Sequence, residues 1–435
     1  MKAQEFDQRR RALMRMMGKG TIAIVPSSGI KLRNRDVAYP FRQDSDFWYL
    51  TGFDEPDAVA VLIPGRKAGE YVLFCRDRDP AREAWDGYRA GPEGAVEDYG
   101  ADDAFPIEAM DDILPGLIES SDSVFYSMGV SGGFDKRILG WLNELRAGGR
   151  AGARTPEEFV SLEHLLHDLR LYKSRAEVGQ MRRAARVSME AHRRAMRRAQ
   201  AGVYEYELEA ELLGHFRAHG NREAYGSIVG SGANSCILHY VENARRMEDG
   251  DLVLIDAGCE DGYYASDITR TFPVSGRFTA EQRKIYSLVL AAQKAAIDKC
   301  RAGNLFNEPH EETVRVITRG LIKLGLLKGT PARLIKEGAY QKFYMHRAGH
   351  WIGLDVHDVG DYKVGGEWRE LEPGMVLTVE PGIYIPPGTR GVAKKWWGIG
   401  VRIEDDVLVT RGEPDVLTGA LVKEPDEIEA FMQAA

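Results

Sequence analysis

The chain has 435 residues, 44% of them apolar, with 58 basic against 66 acidic side chains and a formal net charge of −8. That length allows two or three domains with full cores, and the acidic balance excludes a general nucleic-acid-binding surface, which needs a basic face. No apolar run approaches the ~20 residues that span a bilayer. The charged start MKAQEFDQRRRALMRMM lacks the apolar region of a secretory signal. Four scattered cysteines without a CxxC pattern read as free thiols of a cytoplasmic protein.

TIAIVPS, FWYLTGF, AVAVLIPG, YVLFC and SVFYSM read as strands bounded by Gly or Pro, and residues 133–147 as a closing helix. This mixture predicts an α/β domain over residues 1–172. A second unit, residues 173–435, opens with Ser174 and Glu177, spaced as a capping box. Val178, Met181, Ala184, Ala185, Ala191 and Ala195 then follow helical spacing, with an Arg-rich face read as solvated. Thr279 and Gln282 form a second box, before a helix stopping near Gly303. Another helix is expected from Pro309 to about Leu324, ended by Gly325. DLVLIDAG, YYASDITRTF, MVLTVEPGIYI and GVRIEDDVLVT are strand-like, so the second unit is α+β, helices on a largely antiparallel sheet.

Acidic residues interrupt those apolar strands: Asp256, Asp267, Glu380 and Glu404. Burying one unpaired carboxylate costs several kcal/mol, so four point to a shared cation. If Asp261-Gly262 is a two-residue type I′ turn, Asp256 and Asp267 sit directly opposite on one face, like charges needing positive charge between them. Alternation along GVRIEDD puts Arg402 and Glu404 on one face; an exposed Arg–Glu pair is the bland alternative.

MHRAGHWIGLDVHDVG carries His346, His350 and His357 within twelve residues. His346 and His350 are four apart, but without the Glu of HExxH and with Gly349 between them this is not a helical zinc site. Four carboxylates and one neutral imidazole balance two divalent cations; oxygen-rich ligation favours Mn²⁺, with Co²⁺ or Zn²⁺ as substitutes. Two such ions are a hydrolytic device. His239, in the Gly/Ser/Asn-rich GSGANSCILHYVEN, is a fourth candidate.

HYVEN, LVLIDAGCEDGYYASDITRTF, MHRAGHWIGLDVHDVG, LEPGMVLTVEPGIYI and GIGVRIEDDVLVT together resemble the bacterial Xaa-Pro aminopeptidase (aminopeptidase P) family, and YPFRQDSDFWYLTGFDEPDAV extends the resemblance toward the N-terminus. It implies a creatinase/prolidase-like N-terminal domain and a pita-bread catalytic domain. It further implies metal ligation by Asp256, Asp267, His350, Glu380 and Glu404, with a hydroxide bridging the two ions attacking the carbonyl before proline. By the same resemblance Glu380 takes part in proton transfer, while His239, His346 and His357 bind substrate and stabilise the intermediate. Arg402 lies close by, and Trp85 caps the site from a neighbouring subunit of a homotetramer or homodimer; an ordinary core Trp is the alternative. Substrates would be peptides with proline second. An Xaa-Pro dipeptidase (prolidase) shares the chemistry. A non-catalytic pita-bread binding protein and a metal-independent amidinohydrolase both fit poorly with five retained ligands.

Two features depart from the family pattern. Arg347 stands where relatives commonly have Gly, adding bulk and charge beside the substrate site. The segment VAKKWWGIGVR, with Lys394, Lys395, Trp396 and Trp397, is open to two readings, a pocket-shaping loop or plain surface.

Overall fold

The computed structural model describes residues 1–119 and 121–434, and the chain divides into two units, Met1–Arg170 and Leu171–Ala435.

The first unit is built on a six-stranded sheet in the order 103–106, 71–75, 59–62, 21–26, 123–125, 158–160. Only strand 59–62 runs against its neighbours. Ile22, Ile24, Val59, Val61, Val72 and Phe74 meet the helices 110–119 and 132–147 in one core. FWYLTGF is a correction to the sequence reading, since Ser45–Thr51 is a helix. Asp44 caps it, accepting from the Phe47 amide, and Gly52 closes it in the left-handed conformation (φ 65°). Every residue of the helix but Asp46 is buried, and its apolar stretch, residues 47–50, is too short to carry a 3.6-residue signal.

The second unit places both capping boxes where the sequence does. Ser174 caps Arg175–Arg198, and Thr279 caps Ala280–Ile297. Glu308–Lys323 carries its proline in the first turn. The Arg-rich face of the first of these helices is laced by ion pairs to Glu190, Glu207 and Asp415. Ala184, Ala191 and Ala195 let that helix lie close to the sheet, where Val253, Ile255, Phe272, Val401 and Ile403 complete the core with Ile285 and Val289.

The sheet is antiparallel but broken into short pieces, and the breaks coincide with the acids. Asp256 is the last residue of strand 252–256. Asp267 lies between strands 264–265 and 269–273, Glu380 between 376–379 and 382–385, and Glu404 between 399–402 and 405–408. The first hairpin also corrects the expected register. Its turn residues are Gly262 and Tyr263, with φ of 53° and 70° as a type I′ turn requires. Asp256 therefore pairs with Thr269 and Asp261 with Tyr264, and Asp256 is not opposite Asp267. A two-residue shift preserves the face, so both carboxylates still point the same way.

Candidate active site

Alternation along the strands separates two environments. Val253 and Ile255 face the helix core while Asp256 faces away from it; Val401 and Ile403 do the same, leaving Arg402 and Glu404 on the other side. That other side is a cavity of about 720 Å³ whose lining includes His239, Asp256, Asp267, His346, His350, His357, Glu380, Arg402 and Glu404. Nine of the ten residues singled out in the sequence thus converge. Trp85 is not among the lining residues; it stands 88% exposed on the helix Pro80–Asp86, so it is not a core Trp of this chain.

The histidine segment is irregular and runs beside strand 376–379. Thr378 N donates to His350 O at 2.9 Å, and Glu380 N to Ala348 O at 2.8 Å. Gly349 permits this approach, because a Cβ there would lie 2.0 Å from Thr378 O. His350 and Glu380 are thereby fixed side by side. His350 Nδ1 lies 2.9 Å from the Trp351 carbonyl, which favours its proton there and turns Nε2 toward Asp267 Oδ2 at 3.5 Å and Glu380 Oε1 at 3.7 Å. Asp267, His350 and Glu404 each offer a ligand atom, all within 4.8 Å of one another. The His350 and His357 rings meet edge-on at 4.4 Å.

Outer contacts hold the carboxylates. The Tyr225 hydroxyl lies 2.7 Å from Asp256 Oδ1 and 2.5 Å from Asp267 Oδ1, its single proton shared between them. Thr269 donates to Glu404 Oε2 at 2.6 Å and accepts from Arg402 Nε at 3.1 Å. Arg402 also pairs with Asp256 and donates to the Tyr384 hydroxyl, which in turn meets His346 Nε2 at 2.9 Å. Arg402 and Glu404 are 3% and 2% exposed, which removes the reading of an exposed surface pair. Asp267 N donates to Asp406 Oδ2 at 3.1 Å. Tyr225, Thr269, Tyr384 and Asp406 carried no signal in the sequence, since their roles are defined only by what they touch.

The electrostatics describe a site short of positive charge. Burial, then Asp267, Glu380 and Asp256, hold the Glu404 carboxyl far above its usual range. Burial lifts Glu380 to about 7 against the pull of His350 and Arg402. Burial raises Asp256 despite Arg402. At Asp267 burial works upward, but the His350 bond and charge and the Tyr225 phenol outweigh it and bring the carboxyl down. Burial opposes charge on His350 as well, yet Asp267 and Glu380 raise it to about 9. His346 is pushed down to about 3 by burial and by Arg402. Protons thus do the neutralising that divalent cations would do, and this all-oxygen set plus one imidazole fits hard or borderline divalent ions.

Residues 179–411 match metallopeptidase family M24, and residues 6–126 match the aminopeptidase P N-terminal domain. The chain belongs to metallopeptidase family M24. It is 46% identical over 434 residues to the Xaa-Pro aminopeptidase of Escherichia coli K12, covering 99% of this chain and 98% of that one. It is 43% identical to the Haemophilus influenzae protein of the same name, covering 99% and 97%. The structure of Pseudomonas aeruginosa aminopeptidase PepP superposes with a TM-score of 0.99 at 61% identity, over 100% of this chain and 98% of that one. Zinc-substituted E. coli aminopeptidase P in complex with product superposes at 0.97 and 45% identity, over 100% and 99%. The M24 chain is therefore a metal-dependent aminopeptidase with an aminopeptidase P N-terminal domain and a pita-bread catalytic domain.

The Lys394–Trp397 segment does not line the cavity. Trp396 is buried in the main core, Trp397 packs against that core and donates to the Val392 carbonyl at 3.0 Å, and Lys395 pairs with Glu281. The pocket-shaping reading is corrected; the surface reading holds for the exposed Lys394 and Lys395 but not for the two tryptophans, which serve packing.

Proposed function

We propose that the chain removes the N-terminal residue from peptides with proline in second place, using two divalent ions, Mn²⁺ in preference to Co²⁺ or Zn²⁺. The observation that carries this reading is the convergence of Asp256, Asp267, Glu380, Glu404 and His350 in one cluster, four carboxylates that the Arg402 guanidinium and the His350 imidazole balance only in part. These five would hold the ions. When bound, the ions supply an acidified water and an electrophile for the scissile carbonyl.

The chain's own residues do the rest. Glu380, on the cavity wall beside His350, is placed to accept a proton from the attacking water and return it to the departing proline nitrogen, which cannot leave as an anion. His239 and His357 on the cavity wall are placed to donate to the carbonyl oxygen as negative charge develops. His346 stays neutral and, fixed by Tyr384, presents an imidazole face to the substrate. Arg402 positions Asp256 through its ion pair.

The domains are taken as 1–172 and 173–435. Trp85 and Tyr88, 88% and 92% exposed, favour assembly into a homodimer or homotetramer that covers them, with Trp85 serving a neighbouring copy's site. Cytoplasmic residence agrees with four unpaired cysteines; among the described residues no helix is long and apolar enough to cross a membrane.

A dipeptidase restricted to Xaa-Pro is the second reading. The cavity of about 720 Å³ favours the aminopeptidase, having room beyond a dipeptide. Hydrolysis of Ala-Pro, Ala-Pro-Ala and a longer Ala-Pro peptide by protein of measured metal content decides between them. Cleavage of the dipeptide alone would overturn the first reading.

A further inference from the structure

One part of the cavity rim is not used by this chemistry. Residues 363–364 and 367–368 form a minimal hairpin around Gly365 and Gly366, whose φ values of 61° and 89° suit its tight turn, and the register sets Lys363 opposite Trp368. Lys363 Nζ lies 4.6 Å from the centre of the Trp368 ring, and the Arg347 guanidinium, on the histidine segment, lies 4.7 Å from the same ring. Arg347, Lys363 and Trp368 all line the cavity. Both cations are exposed, and among the described residues neither has a carboxylate within 4 Å. An indole face holds a cation but does not cancel its charge, so two like charges share one ring on the rim and neither has a paired carboxylate.

The ring is rigidly supported. Phe306 packs on Trp351 at 4.5 Å, on Tyr362 at 4.6 Å and on Trp368 at 6.3 Å, and Trp351 stacks on Tyr362. This aromatic strip runs from beside His350 to the rim. Asp361 lines the same rim and pairs with neither cation.

We propose that Arg347 and Lys363, presented on Trp368, form a substrate subsite for a carboxylate, so that the enzyme prefers peptides carrying one. The inference rests on the peptidase reading above and adds a substrate class to it. The carboxylate has two sources, an acidic side chain or the free C-terminus of a short peptide.

The test uses the metal-loaded full chain and four peptides: Ala-Pro-Asp-amide, Ala-Pro-Lys-amide, Ala-Pro-Ala and Ala-Pro-Ala-amide. The aspartyl amide should exceed the lysyl amide in kcat/KM by about fivefold or more, the size expected of partly exposed charge pairs, and added salt should narrow the gap. If the free C-terminus also binds there, Ala-Pro-Ala exceeds its amide. The double variant Arg347→Gly, Lys363→Ala should bring the aspartyl-to-lysyl ratio to near one, and Asp361→Asn should widen it. A wild-type ratio near one, or a ratio that survives in the double variant, overturns the subsite. Failure to cleave any of the four would instead be failure of the Xaa-Pro reading. Calorimetric titration of the aspartyl and lysyl amides into metal-free protein then still reads the preference, and equal binding of the two overturns the subsite.

Discussion

Metal binding to this chain should be strongly linked to pH, and the structure sets the slope. Without ions, His350 holds a proton up to about 9 and Glu380 up to about 7. Glu404 and Asp256 are also shifted upward. Ligation requires the imidazole neutral and the carboxyls ionised, so the metal-bound state carries fewer protons and affinity must rise with pH. Between pH 7 and 9 the His350 proton alone gives about one order of magnitude in affinity per pH unit, or about 1.4 kcal/mol. Below pH 7 the Glu380 proton adds a second, for about two orders per unit, and protons held by Asp256 and Glu404 can only steepen this. Calorimetric titration with Mn²⁺ near pH 6, 7 and 8, each in two buffers of different protonation enthalpy, measures both the affinity and the protons released. An affinity flat from pH 6 to 8, with heats that do not depend on the buffer, would refute the reasoning.

Other consequences are as direct. Asp267→Ala removes a carboxylate that meets both Tyr225 and His350; activity on an Ala-Pro peptide should disappear while circular dichroism and the unfolding transition remain, and normal turnover would contradict its place in the site. Tyr225→Phe keeps every ligand but loses the proton shared by Asp256 and Asp267, so metal affinity should fall by about 10- to 100-fold, as for other supporting contacts of ligands, measured by competition with a chelating dye. His192 is buried with Nε2 bonded to the Ala257 carbonyl at 2.9 Å, and burial holds it down to about 4. Its folded pKa lies below the unfolded value of about 6.5, so its stabilisation is complete above about pH 6.5 and is lost as pH falls through about 4. Urea unfolding of metal-free protein at pH 7.5 and 4.5 should show a loss of about 2–3 kcal/mol from this group, absent in His192→Gln.

The sequence was most legible where a residue type is out of place. Asp256, Asp267, Glu380 and Glu404 stood out because carboxylates do not belong in apolar runs, and Ser174, Glu177, Thr279 and Gln282 because capping has fixed spacing. It misled where the signal was shared by two structures. Within Ser45–Thr51 the run 47–50 is apolar because it is buried, which a strand would also be. The hairpin after Asp256 has Asp261-Gly262 in its sequence but turns at Gly262-Tyr263, because the left-handed glycine occupies the first turn position, against the Gln180 side chain. Tyr225 and Tyr384 were silent, as an isolated tyrosine says nothing of the carboxylates or arginine it will meet. Trp396 looked like a functional oddity and is core, since only the fold decides which side of a loop faces inward.

The most direct test of the proposed two-ion hydrolytic centre is a titration of activity against metal content. Protein stripped of metal and then given Mn²⁺ in measured steps should be inactive on Ala-Pro-Ala at the start and reach full rate as occupancy approaches two ions per chain. Full turnover with verified metal content near zero would contradict the account.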